Sequence, residues 1–331
     1  MKNEFIFGMN VHNKGYQSYP DKNLDFMLDE CVAMHQNLIR FNFVPISDED
    51  FEYINTVIDK IRSRGMKIML VADSLDTLRT PPVEEVYQAA YDYYFMLASR
   101  LGTRVDIYQL YNELCVWGMH NDVGNIVNCG SDGKEVIDYD PSRFERAVKG
   151  VKGATEGLKA GCKDAVSCVN MSWWHNALMY EIVKNGALID VIGLDWYSDC
   201  EADSSIEELL DELTVKLAGR DFMFCETNFW MHPHPKFTEE QNATILNPDK
   251  RDIAQAEWVE AYTKRAFGLT EKYPSFKGII HYELMDELAF EQNGGGYNGE
   301  SHFGFISCDA NGNDPVRKPC FYALKKAIEE L

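Results

Sequence analysis

Short apolar runs alternate along the chain with longer amphipathic stretches. The runs are rich in β-branched and aromatic residues, and they predict eight strands, over 5–10, 37–43, 66–72, 105–111, 165–171, 190–196, 221–226 and 278–284. Each run is almost continuously apolar, which is typical of parallel strands that are covered on both faces.

The stretches that follow the strands carry helical patterns. The clearest span 21–35, 48–64, 83–101, 141–160, 174–186, 204–218, 251–273 and 318–330. Over 48–64, apolar residues recur at three- and four-residue spacing, acidic residues open the helix, basic residues close it and Gly65 ends it. Pro141 stands where the first position of the next clear helix is expected.

This strict alternation of strand and helix predicts an α/β protein with a parallel sheet and right-handed crossovers. Eight units favour closure into a single (β/α)₈ TIM barrel, and a doubly wound open sheet is the alternative. The 331 residues suit one catalytic barrel domain over 1–331, because no linker or low-complexity tract interrupts the pattern.

Three connections are too long to be simple turns: 114–140, 227–250 and 285–317. They follow strands four, seven and eight at the end of a barrel where active sites are built. Long loops in a compact domain are usually functional or disordered. These loops are rich in aromatic and histidine residues, as a binding cleft requires: Trp117, His120, Trp230, His232, His234 and Tyr297.

Charge and cysteine content narrow the class of protein. A net charge of −21 opposes nucleic acid and anionic membranes as partners. The nine cysteines are scattered without a CxxC pair, so we expect free buried thiols in a reducing compartment, with a disulfide framework as the alternative. No signal-peptide pattern and no run of about 20 apolar residues is present. We therefore expect a cytoplasmic protein, or a secreted one if a leader has been removed.

Two glutamates end strands on opposite sides of the predicted barrel. Glu113 ends strand four in YNE, and Glu226 ends strand seven in CETN. Both reach the same rim, and retaining hydrolysis of a glycoside needs two carboxyl groups about 5–5.5 Å apart. We predict Glu113 as the general acid/base and Glu226 as the nucleophile.

Other residues can support this pair. Arg40 in strand two can keep Glu226 ionised, and Tyr197 after strand six can donate a hydrogen bond to the same carboxylate. Asn112 can bind the sugar hydroxyl next to the reacting carbon, where hydrogen bonds strengthen in the transition state. A structural ion pair is the other interpretation of Arg40.

These residues, in this strand order, resemble the (β/α)₈-barrel clan of retaining β-glycosidases, clan A of the glycoside hydrolases. The positions that carry the resemblance are Arg40, Asn112, Glu113, Tyr197 and Glu226, together with the C-terminal run from YELMDE to the closing helix. It implies retaining hydrolysis of a β-linked oligosaccharide or polysaccharide, with no cofactor and no metal. Many members of this clan carry a tryptophan on strand eight that forms the floor of the sugar subsite. The nearest equivalent in this chain is Tyr282, a smaller aromatic residue.

Weaker sugar contacts are expected from residues after strands one and five. His12 is one, and Trp174 and His175 are preferred over Trp173, although rim packing is the alternative for each tryptophan. An acidic group after strand eight can bind substrate hydroxyls or satisfy loop backbone donors, and both interpretations stay open: Glu283, Asp286 and Glu287.

Two other functions remain possible from sequence. One is a carbohydrate-binding barrel without catalysis. The other is a metal-dependent barrel hydrolase that uses His12, His175, His232 or His234. The sequence does not distinguish among sugars, between exo and endo action or among oligomeric states.

Overall fold

Eight parallel strands form a closed barrel in the computed structural model, which describes residues 5–118, 133–202 and 205–331. Each strand pairs with the next in the chain, and β8 pairs with β1 to close the ring. The strands are β1 Ile6–Val11, β2 Leu38–Asn42, β3 Lys67–Ala72, β4 Ile107–Leu110, β5 Ser167–Ser172, β6 Val191–Asp195, β7 Asp221–Glu226 and β8 Phe276–His281. The predicted TIM barrel is confirmed, and the open-sheet alternative is wrong.

Helices follow every strand. They are α1 Leu24–Ala33, α2 Asp48–Ser63, α3 Asp76–Arg79, α4 Val86–Leu101, α5 Leu114–Gly118, α6 Pro141–Gly161, α7 Asn176–Lys184, α8 Ile206–Lys216, α9 Glu239–Leu246, α10 Pro248–Lys272, α11 Ala289–Gly294 and α12 Pro319–Glu329. The predicted start of α2 has a capping box, in which Ser47 Oγ accepts from the Asp50 backbone N–H at 3.1 Å. Pro141 is the first residue of α6, behind an Asp140 cap.

The barrel interior has an apolar floor and a polar upper layer. Successive side chains of a strand point to opposite faces, so residues two apart share a face. On β2 the buried Leu38 is followed two residues later by Arg40, and on β4 the buried Ile107 is followed by Gln109. The strands therefore deliver polar side chains at their C-terminal ends, where the predicted site lies.

The eight cysteines in the described ranges are free thiols, and seven of them are buried, as expected. His120 and the ninth cysteine, Cys129, lie outside the described residues. None of the described helices is long and apolar enough to cross a membrane.

Helices α4 and α6 approach closely along a row of glycines in α6. A Cβ added at Gly157 would overlap the backbone carbonyl oxygen of Tyr91, and one added at Gly153 would overlap that of Tyr87. The contact is backbone against backbone, so no side-chain rotation can relieve an added methyl group.

We therefore expect Gly157→Ala to destabilise the fold by about 1–3 kcal/mol through overpacking. The matched control is Gly268→Ala in α10, where an added Cβ meets nothing within 4 Å. That change should be neutral or stabilise by up to about 1 kcal/mol, because alanine restricts the unfolded chain. Urea denaturation of both variants measures the difference, and equal stabilities would contradict this account of the α4–α6 contact.

Candidate active site

The C-terminal ends of the strands open into a pocket of about 390 Å³. Eight of the nine residues predicted for the site line it: His12, Arg40, Asn112, Glu113, His175, Tyr197, Glu226 and Tyr282. The structure thus brings together side chains that are up to 270 positions apart, counted from His12 to Tyr282. The exception is Trp174.

Glu226 is held by two partners that come from different sides of the barrel, β2 and the end of β6. One Arg40 Nη1–H donates to Glu226 Oε1 at 2.8 Å, and the Tyr197 hydroxyl donates to Oε2 at 2.9 Å. Glu226 is only 8% exposed. Both contacts match the sequence prediction, and they leave the carboxylate fixed in position at the pocket wall.

Arg40 is also bound on its other N–H groups. Its Nε donates to Gln109 Oε1 at 2.7 Å, Nη1 to Asn10 Oδ1 at 2.5 Å and Nη2 to Asn112 Oδ1 at 2.7 Å. The guanidinium is 4% exposed, so its charge is almost fully removed from water. A buried charge is tolerated when it is paired and its donors are satisfied, which is the arrangement here.

Glu113 reaches the pocket from a turn that immediately follows β4. Tyr111 and Glu113 have positive φ values of 66° and 46°, which are uncommon for residues other than glycine. Hydrogen bonds hold this turn: the Asn112 N–H donates to Asp73 Oδ1 at 3.1 Å and the Glu113 N–H to Asn170 Oδ1 at 3.0 Å. These contacts offset the local strain, which is typical of functional turns.

The environment of the Glu113 carboxyl group favours its neutral form. Burial is the main cause, and the negative charge of Glu226 adds to it, so that the pKa of Glu113 is raised to about 7. Arg40, by contrast, contacts Glu226 directly. The pocket therefore contains one carboxyl group that can carry a proton near neutral pH and one carboxylate bound to a cation, an arrangement suited to acid and nucleophile.

Asp195 lies behind these groups and helps to position them. Its Oδ2 accepts from Asn170 Nδ2 at 2.5 Å, and the same Nδ2 donates to Asn112 Oδ1 at 3.0 Å. Asp195 is 1% exposed, and burial, followed by the charges of Glu226 and Glu113, raises its pKa well above the ordinary range. Asn170 thus connects the turn that carries Glu113 to β6.

Aromatic rings form much of the pocket wall. Tyr197 makes ring contacts with Trp230 and Phe303, both with centroids 5.5 Å apart, and Tyr282 contacts Phe303 at 5.7 Å. Trp230 came from a loop that the sequence marked as aromatic. Phe303 was missed, since it lies far beyond β8 in a loop without periodicity.

The structure places Trp173, and not Trp174, on the pocket wall. Trp174 is 8% exposed and belongs to the hydrophobic core between the barrel and its helices. The reason is local backbone conformation: Trp173 has a positive φ of 45°, and its N–H donates to the Asp195 carbonyl oxygen at 3.1 Å. The prediction that Trp174 lines the cleft is therefore wrong, and Trp173 takes that place.

The acidic group after β8 does not line the pocket. Asp286 pairs with Lys318 Nζ at 3.3 Å, a partner that neither sequence interpretation included. Glu283 is fully buried, and its Oε2 accepts from the Tyr19 hydroxyl at 2.9 Å. Glu287 is 4% exposed, and burial followed by the charge of Glu283 raises its pKa to about 9.

The four histidines considered for metal-dependent hydrolysis do not converge. Within the described ranges, the group of side chains whose ligand atoms are close enough to share an ion contains His12 but none of the other three, His175, His232 and His234. His232 instead lies 3.1 Å from Glu300 Oε1 at the pocket edge. This distribution does not support a three-histidine catalytic centre.

No protein-family model and no curated protein matches the chain. Among solved structures, it is similar to a β-glucosidase from Thermotoga maritima in complex with glucoimidazole, with a TM-score of 0.67 and 12% identity over 98% of each chain. A β-glucosidase from the same organism in complex with cyclophellitol gives a TM-score of 0.68 and 11% identity, over 99% of this chain and 98% of that chain. Similarity at this level of identity shows a shared barrel fold.

The Arg40–Glu226 pair yields a stability prediction. We expect Arg40→Met to destabilise the fold by about 3–5 kcal/mol, because it leaves a buried carboxylate without its cation. Glu226→Gln in the same chain should recover more than about 1 kcal/mol of that loss. Urea denaturation of the wild type, both single variants and the double variant gives the coupling energy, and strictly additive effects would show that the pair is not a unit.

Proposed function

We propose that the chain is a retaining glycoside hydrolase that cleaves β-linked oligosaccharides or polysaccharides. The observation that carries the proposal is the pairing in one pocket of Glu226, bound by Arg40 and Tyr197, with Glu113, whose pKa is raised to about 7. Two carboxyl groups with different environments are what double displacement at a sugar carbon requires.

In the first step Glu113 donates its proton to the glycosidic oxygen while Glu226 attacks the anomeric carbon. The bond between that carbon and the leaving oxygen breaks, and a covalent glycosyl-enzyme forms on Glu226. Glu113, now a carboxylate, then accepts a proton from water as the water attacks the same carbon and frees Glu226. The two inversions give net retention.

Neighbouring groups orient the pair. Arg40 and Tyr197 hold the two oxygens of Glu226, which limits the directions from which it can attack. Asn112 Oδ1 accepts from Arg40, Gln109 and Asn170, so its Nδ2 is the group left to donate to a sugar hydroxyl. A hydrogen bond of this kind strengthens as positive charge develops on the ring.

The pocket wall suits a carbohydrate. Tyr282, Trp173 and Trp230 offer ring faces for the apolar sides of sugars, His175 offers a polar contact, and the ring of His12 also lines the pocket. The structural neighbours are β-glucosidases, some in complex with glucoimidazole or cyclophellitol, which supports the same class of substrate here.

We also propose that residues 1–331 form one catalytic domain that acts in the cytoplasm, in keeping with the free thiols of the described residues. A panel of nitrophenyl β-glycosides would identify the sugar.

The role of Glu226 predicts a stereochemical result. Glu226→Ala should lower turnover of an aryl β-glycoside by at least about 10³-fold. Added azide should restore turnover by attacking from the vacated side, giving the α-glycosyl azide. Glu113→Ala is the matched control, because there azide attacks the glycosyl-enzyme and should give the β-glycosyl azide. Proton NMR of the anomeric position identifies the two azide products. A Glu226→Ala enzyme that keeps its activity without azide would contradict the role of Glu226 as the nucleophile.

The raised pKa of Glu113 predicts the pH profile. An acid with a pKa of about 7 in the folded enzyme is protonated below that pH, so kcat/KM for an unactivated β-glycoside should fall as pH rises through about 7. Glu113→Gln should reduce this kcat/KM by about 10²–10⁴-fold. A dinitrophenyl glycoside, whose leaving group needs no proton, is the control: its kcat/KM should change little and lack the alkaline fall. An equal loss with both substrates would exclude Glu113 as the acid.

A further inference from the structure

Three buried side chains meet where the barrel closes. His12 directly follows β1, while Glu283 and Glu287 follow β8, the strand that pairs with β1. Their exposed fractions are 7%, 0% and 4%. Each offers one atom that could bind a cation, and these three atoms lie within 4.8 Å of one another. None of the catalytic steps above uses Glu283 or Glu287.

The orientation of the His12 ring directs a lone pair at Glu283. His12 Nδ1 is 3.1 Å from Asn42 Oδ1, and an amide oxygen can only accept, so Nδ1 carries the proton. In the neutral ring Nε2 is then an acceptor, yet it lies 2.8 Å from Glu283 Oε2. Two acceptors at this distance repel each other unless a proton or a metal ion lies between them.

Three atoms of the cluster are buried without a hydrogen-bond partner in the part of the chain that the structure describes: His12 Nε2, Glu283 Oε1 and Glu287 Oε1. The 2.8 Å approach of His12 to Glu283 is therefore close in distance but lacks the direction of a hydrogen bond. Leaving such atoms unsatisfied in a buried place costs about 1–3 kcal/mol each, and more for charged groups. An ion bound among these side chains would offset part of this cost.

We propose that His12, Glu283 and Glu287 bind one divalent transition-metal ion, Mn²⁺ or Zn²⁺, through His12 Nε2 and one oxygen of each carboxylate. Imidazole and carboxylate ligands together suit these ions. With bonds of about 2.1 Å, neighbouring ligands at right angles are about 3.0 Å apart, close to the 2.8 Å between His12 Nε2 and Glu283 Oε2.

Groups around the cluster fit the proposal. Metal-bound histidines usually donate their second ring N–H to an oxygen acceptor, as His12 Nδ1 does to Asn42. The Tyr19 hydroxyl donates to Glu283 Oε2 at 2.9 Å, which orients that carboxylate from outside. Such outer contacts are part of a metal site as much as its ligands.

The ion has a structural role, separate from hydrolysis. His12 lines the pocket, but Glu283 and Glu287 do not, so the ion lies behind the wall. It joins the first and last strands of the barrel, and it fixes a ring that stacks on Tyr16 at 4.1 Å and contacts Tyr282 at 5.6 Å. The sequence alone does not reveal this group of ligands, because they come from opposite ends of the chain.

The test is titration of the full, chelator-treated chain with MnCl₂. Free Mn²⁺ measured by electron paramagnetic resonance should show one site per chain. The melting temperature should rise by about 4 °C at a hundredfold excess over Kd. Mn²⁺ is the sharper probe because Zn²⁺ can also bind thiolates, and the chain has nine cysteines.

Glu287→Gln should lose both the binding and the melting shift, while the matched control Glu291→Gln should keep them. Glu291 lies nearby in α11 but pairs with His302 at 2.7 Å. His12→Asn is a second test should Glu287→Gln fail to fold. The proposal is overturned if the wild type binds neither Mn²⁺ nor Zn²⁺, which would indicate that a proton between His12 and Glu283 takes the place of the ion, or if Glu287→Gln binds Mn²⁺ unchanged. Neither result bears on hydrolysis, because no catalytic step uses the ion.

Discussion

The buried ion pair between Arg40 and Glu226 is the interaction on which the pocket depends. A guanidinium this far from water must have its charge paired and its N–H groups accepted, and four side-chain oxygens do so. Those acceptors come from β1, β4, the turn after β4 and the last residue of β7, so the pair ties several strands together at their C-terminal ends. The same hydrogen bonds that balance the buried charge of Arg40 therefore also fix the shape of the pocket.

The barrel makes this possible because inward-facing residues are apolar near the start of a strand and polar near its C-terminal end. Apolar residues such as Leu38 and Ile107 close the floor, and the next inward positions on the same strands are Arg40 and Gln109. Polar groups are gathered at one end, where they satisfy one another and leave Glu113 and Glu226 facing the pocket. The network positions the two carboxyl groups before any substrate arrives, which is what preorganised catalysis requires.

The sequence predicted what depends on strand order and strand ends. All eight strands are present, with ends that differ from the prediction by at most three residues, and Arg40 and Tyr197 contact Glu226 as expected. It chose Trp174 over Trp173 for the pocket wall, and this choice was wrong because a positive φ in one turn settles which ring turns inward.

Contacts contributed by irregular loops also escaped prediction. Phe303 and Glu300 reach the pocket from a loop with no hydrophobic period, and nothing in their neighbours marks them. The meeting of His12 with Glu283 depends on the pairing of the first and last strands, so it becomes visible only when the ring is closed.

The most direct measurement is to trap the intermediate with a 2-deoxy-2-fluoro-β-glycoside of the best substrate, carrying an activated leaving group, and to locate the label by peptide mass spectrometry. The account predicts one covalent sugar per chain, attached to Glu226. A label on another carboxyl group, or turnover to the inverted anomer with no label, would contradict it.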